Sequence, residues 1–291
     1  MERSRLRNNR SMSLPYFMER VAQTNLQLYN QLRAQGYSDE ELLVVHRAYE
    51  FLTTIYPGYY QADGKPFVAH TVGVASILAH LQLPTEFIAA GLLHNIYGNG
   101  DFGDGRRYVA TARRRRIVRK AVGDRIEVLI ERFRRCRIRP KSALDILSRI
   151  DQFDEIDKKL IVMDLADYLE KYIDLGVCYW GDSESLADTA AKHGDTLVAI
   201  ADRVGYPQLA TMLNEAFANA RAAQIPNSLR ASNGWKEMDL VVPRSCRRRL
   251  RPILSKQLNG LWWSLRRTFP IRRRLRQLRS AISRPHTIQH S

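Results

Sequence analysis

The chain has 291 residues, with 46 Lys and Arg against 30 Asp and Glu, for a formal net charge of +16. Hydrophobic residues make up 45% and charged residues 26%, which excludes a disordered, collagen-like or disulfide-scaffold protein. The length suits one core of roughly 200 residues with an appendage.

Three cysteines, Cys136, Cys178 and Cys246, lie far apart without CxxC spacing, so neither a zinc knuckle nor a disulfide framework is indicated and a reducing compartment is expected. The best apolar stretches, 71–83 and 87–96, each carry a histidine and fall short of the roughly 20 apolar residues of a membrane span. The first fifteen positions lack an apolar secretory core. A cytoplasmic location follows as the expectation.

In chain order, Ser13 and Pro15 predict a helix running to about Ala34 and stopped by Gly36. Ser38 with Glu41 forms a capping box, opening a helix with Leu42, Val45, Ala48 and Leu52 on one face. Residues 56–65 have turn chemistry, and Pro66 starts a helix carrying His70, Val74, Ile77 and Leu78. Thr85 is expected to cap a helix through 85–98, apolar nearly all round and therefore central. A Gly-rich turn at 99–105 follows, then amphipathic helices at 118–133 and 157–175, one from Asp182 or Ser183 to about Arg203, and a last one from Tyr206 to about Ala223. No alternating strand pattern or fixed-period repeat stands out. The fold class read from the sequence is all-α.

Three features fall in an informative order: DGKPFVAH ending at His70, LLHN with His94 and Asn95, and LAD ending at Asp167. Each titratable group sits on an apolar helix, where burial alone costs several kcal/mol or more. Two imidazoles and a carboxylate on three helices satisfy one another by sharing a divalent metal. The pattern resembles the HD superfamily of helical metal-dependent phosphohydrolases, in particular the hydrolase domain of the bifunctional alarmone (ppGpp) synthetase/hydrolases. The likeness spans roughly residues 41–175.

The resemblance implies an HD-domain-like helical bundle in which His70, His94, Asn95 and Asp167 hold a divalent metal (Mn, Fe, Mg or Zn). It implies hydrolysis of a phosphorylated small molecule or nucleotide, with Asn95 ligating the metal or orienting water. Lys171, or an arginine from 106–116, would neutralise phosphate. The chain departs from the family at several of these positions. Asn95 stands where the family has Asp, which removes one negative charge from the metal site. Gly98 and Asn99 replace a catalytic Glu-Asp pair, Gln61 replaces a base-contacting Arg, and Lys171 replaces a substrate-contacting Asn. Weakened or lost activity is therefore expected. The alternative is a non-catalytic HD-like ligand- or partner-binding protein. A group whose dyad reads LLHxxYG is also similar to residues 92–98.

Other residues have plainer readings. Asn99, Asp101 and Asp104 lack the spacing of a calcium loop, and the segment reads as a connector over the site. Asp101 or Asp104 would supply the missing carboxylate if that connector folds back. His46, His80 and His193 read as solvated or structural, and Cys136 and Cys178 as inert thiols. Arg113 to Arg116 read as the wet side of a helix, or alternatively as facing an anionic ligand at the pocket mouth.

From 242 to 291 there are 14 basic residues and no acid. Leu261, Leu265 and Phe269, then Ile271, Leu275, Leu278 and Ile282, recur at helical spacing beside Trp262 and Trp263. The organisation expected is a helical domain at 1–226, then a linker and Arg-rich amphipathic tail at 227–291. Basic amphipathic segments with a Trp pair suit an anionic membrane surface through 244–284, making the protein peripheral there. Nucleic acid ranks below that as a partner, since it does not need the apolar stripe. Packing of the stripe on the body, or a solvated extension, is the competing reading.

Overall fold

The computed structural model describes residues 21–230 apart from 57, 62, 139–141 and 181–182. The expectations for the first twenty residues and for the basic tail beyond 230 lie outside the described residues. The described chain is all-α. Its elements are α1 (Asn25–Ala34), α2 (Asp39–Ile55), α3 (Phe67–His80), α4 (Thr85–Leu92), the single turn α5 (Ile96–Asn99), α6 (Ala112–Val122), α7 (Asp124–Cys136), α8 (Ala143–Ser148), α9 (Glu155–Ile173), α10 (Ser183–Arg203) and α11 (Pro207–Ala222). Among the described residues there is no β-strand, only an isolated bridge between Tyr60 and Pro66. None of their helices is long and apolar enough to cross a membrane.

The bundle is organised around α3 and α9. From His70 to Ala79 every residue of α3 is buried, and so is the run Leu160 to Asp167 of α9. A helix with no wet face has to be central, and both are. α3 packs against α1, α4 and α9, while α9 also meets α7 and α11. Around them α2 presents Val45, Ala48 and Leu52 at spacings of three and four, as its sequence predicts. The Ser38–Glu41 capping box is formed. The other Glu41 oxygen accepts from the Thr85 hydroxyl at 2.9 Å, which ties the start of α2 to the start of α4.

Several boundaries differ from the sequence reading. Among the described residues the first helix starts at Asn25, where Thr24 and Gln27 form their own capping box after the non-helical residues 21–24; the expected start at Ser13 and Pro15 lies outside them, and Gly36, at φ +85°, ends the segment as expected. The helix expected across 85–98 stops at Leu92. There His94 Nδ1 lies 2.7 Å from the Gly91 carbonyl oxygen, diverting it from the helical ladder, and the chain bends before resuming in α5. Thr85 is the first residue of α4 rather than its cap. The expected helix at 118–133 is two helices, α6 and α7, separated by Gly123 at φ +88°.

Candidate metal centre

His70 lies one turn into α3, His94 in the bend after α4, and Asp167 in the middle of α9. All three are buried. They bring one ligand atom each to within 4.8 Å of one another. His70 Nε2 stands 3.0 Å, and His94 Nε2 3.4 Å, from the same atom, Asp167 Oδ1. Despite that proximity, neither His70 Nε2 nor Asp167 Oδ1 makes a hydrogen bond of acceptable geometry, although both atoms are fully buried. Orphaned buried polar atoms cost free energy, and two that face a common centre fit the coordination of a cation. The donor set, two imidazoles and a carboxylate, therefore suits a divalent ion.

The surrounding side chains fix the ligands. His94 Nδ1–H donates to the Gly91 carbonyl, leaving Nε2 as the lone-pair nitrogen. His70 Nδ1 is bound to Glu170 Oε2, so the ring presents Nε2 to Asp167, in the carboxylate–histidine arrangement typical of metal sites. Glu170 is held in turn by Lys65 Nζ at 2.6 Å, which also reaches Asp174 at 3.0 Å. Room for Glu170 comes from α3, because a Cβ at Gly73 would stand 2.7 Å from Glu170 Cγ and 2.9 Å from Oε1.

Burial opposes every charge here, and the outcome at each group shows which partner wins. Burial disfavours the His70 imidazolium, yet Glu170 and Asp167 hold its pKa above the ordinary value. Glu170 is likewise kept low against burial by His70 and Lys65. Asp167 is held well below the carboxylate range by Lys171 and the two histidines, despite complete burial. For Asp164 the balance reverses: burial outweighs Arg137 and its pKa is raised.

Lys171 donates to Asp167 Oδ2 at 3.0 Å. Arg137 donates from Nη2 to that same oxygen at 3.2 Å, from Nε to Asp164 Oδ1 at 3.2 Å and from Nη1 to Asn95 Oδ1 at 3.4 Å. Asn95 thus lies in the cluster, but it turns its amide nitrogen, not its oxygen, to His94 Nε2 at 2.7 Å. The connector at 99–111 does not return a carboxylate to the centre. Asp101 Oδ1 accepts from the Gly103 amide, and Asp104 is bound by Arg114 and the Arg106 amide. Arg114 is buried, with its guanidinium 4.6 Å over the Phe102 ring and further bonds to the Val109 and Arg106 carbonyls. Arg115 and Arg119 bind the buried Glu127, which also accepts from Tyr97 at 2.8 Å. Only Arg113 and Arg116 of that run are exposed in the expected way. Gln61 is buried in the turn before Lys65, and Gly98 faces the Tyr108 ring.

Sequence reasoning passed over Glu170, Asp164, Arg137 and Lys65. Asp164, Asp167 and Glu170 recur every third residue within the otherwise apolar stretch 160–170, a spacing that places them along one side and was available as a signal.

The fold and the site together define an all-helical bundle with a buried His–His–Asp centre fit for a metal. Residues 51–137 match the family described as a domain of unknown function, DUF6817. A 62-residue segment is 42% identical to a chloroplastic protein of Oryza sativa subsp. japonica named as a GTP diphosphokinase, and a 62-residue segment is 32% identical to a GTP pyrophosphokinase of Myxococcus xanthus. Each match covers 21% of this chain, and 7% and 8% respectively of those much longer proteins.

Proposed function

We propose that this chain is an HD-like metal-dependent phosphohydrolase-type domain acting on a phosphorylated small molecule or nucleotide. The observation that carries the reading is the convergence of His70, His94 and Asp167 from three separate elements, with His70 Nε2 and Asp167 Oδ1 buried and unsatisfied. The likeness over a short segment to two proteins named for GTP chemistry supports the substrate class.

His70, His94 and Asp167 would hold the ion. A divalent ion at such a site lowers the pKa of bound water towards neutrality. Glu170 keeps the His70 ring oriented, and the Gly91 carbonyl keeps His94 in the tautomer whose Nε2 can ligate. Arg137 and Lys171, on the far oxygen of Asp167, supply the positive charge that phosphate oxygens need, the role expected of Lys171 and of an arginine from another segment.

One observation favours the second reading, a non-catalytic ligand-binding relative of the same fold. The Asn95 amide donates to the His94 lone pair that a metal would use. Metal analysis of protein purified without chelator separates the two. Stoichiometric Mn, Fe, Mg or Zn, lost in His94→Ala, with weak turnover on a panel of phosphorylated nucleotides, is the result expected. Metal-free protein with no turnover replaces the first reading by the second.

A further inference from the structure

The side chains of Asp164, Asp167 and Glu170 are at most 1% exposed, and each is met by a cation: Arg137 for Asp164, Arg137 and Lys171 for Asp167, and Lys65 for Glu170. Three buried acids thus face three cations before any metal arrives. Asp63 and Asp174, both less buried, lie beside Lys65, at the far end of this chain of contacts from Asp167. The Asp167 carboxylate is divided. Oδ1 faces the two histidines, while Oδ2 is shared by Lys171 and Arg137.

A divalent ion seated between His70, His94 and Oδ1 would therefore have two fixed cations across a single carboxylate. It would add two positive charges, less any proton displaced from His70, to a pocket whose deepest acids are already compensated. In a poorly hydrated interior that excess is costly, and an arriving dianion removes it. Resting on the metal-centre reading above, we propose that this chain takes up a divalent cation together with an anion of the phosphate class, each ligand tightening the other, and that Lys171 and Arg137 impose the coupling. Two side chains that look like ligand support thus act as competitors of the bare ion, and become partners of the anion once it binds.

The test is calorimetric titration of the chelator-stripped full-length chain with Mn2+, in the absence and presence of inorganic phosphate. Phosphate is expected to tighten Mn2+ binding by at least about tenfold, and Mn2+ to tighten phosphate binding by the same factor, since coupling between sites is reciprocal. Lys171→Met should bind Mn2+ alone more tightly than the wild type and lose most of the phosphate enhancement. Arg137→Met gives the same readout should circular dichroism show Lys171→Met unfolded. Mn2+ binding that ignores phosphate, or that weakens in both variants, overturns the coupling while leaving the metal centre standing. Absence of Mn2+ binding under either condition overturns both.

Discussion

Glu170 offers the sharpest single perturbation, because it is buried among groups that all depend on its charge. Glu170→Gln keeps the shape and one acceptor oxygen but leaves Lys65, 16% exposed, with only the half-exposed Asp174 as a charged partner among its two salt bridges. It also removes the carboxylate from His70 Nδ1. Removing one partner of a buried pair costs about 3–5 kcal/mol, and the retained acceptor places this case near about 3. For a domain of this size about 3 kcal/mol lowers Tm by roughly 6–12 °C.

The pH dependence has a definite sign. Glu170, lowered from 4.5, contributes stability that is present above that value and fades as pH falls through its folded pKa. His70, raised from 6.5, contributes stability that is complete below 6.5 and fades as pH rises through its folded pKa. The penalty of the substitution should therefore be largest between 4.5 and 6.5 and shrink on both sides. Thermal melts of the chelator-treated protein and variant from well below 4.5 to well above 6.5 are the assay. A Tm difference below about 2 °C, or one flat with pH, would refute the idea that this carboxylate anchors the histidine.

Asn95→Asp replaces the amide donor at His94 by a carboxylate oxygen, and is expected to tighten Mn2+ binding by about 10- to 100-fold, measured by calorimetry. Unchanged affinity would place residue 95 outside the coordination sphere. Arg114→Met removes the guanidinium that gathers Asp104, two carbonyls and the Phe102 ring, so hydrogen exchange of amides in 100–111 should accelerate at least about tenfold while α3 and α9 stay protected. Equal protection in both proteins would show that the connector is held by something else.

What the sequence disclosed, and what it hid, follows from the range of the forces involved. Helix starts at Ser38, Pro66 and Pro207 were readable because a cap or a proline acts within four residues. The break after Leu92 was hidden because it depends on a side chain bonding back to a carbonyl, and the leucine-rich pattern continues through it. His70, His94 and Asp167 stood out as polar exceptions on apolar helices. Arg137 and Arg114 did not. Each lies within an arginine-rich run, and local composition gives no sign of which guanidinium will find an acid thirty or ten residues away. Glu170 falls between these cases: its spacing from Asp167 marks the face, while the partner that gives it meaning lies a hundred residues back.

The missing side chain at Gly73 carries a consequence for descent. The gap there is occupied by Glu170, so the two positions can drift only as a pair. Lineages that keep a long acid at 170 must keep glycine at 73, whereas those with a shorter residue at 170 are free to fill the notch. Covariation between these columns would then report, without any assay, which relatives still maintain the support beneath the first histidine.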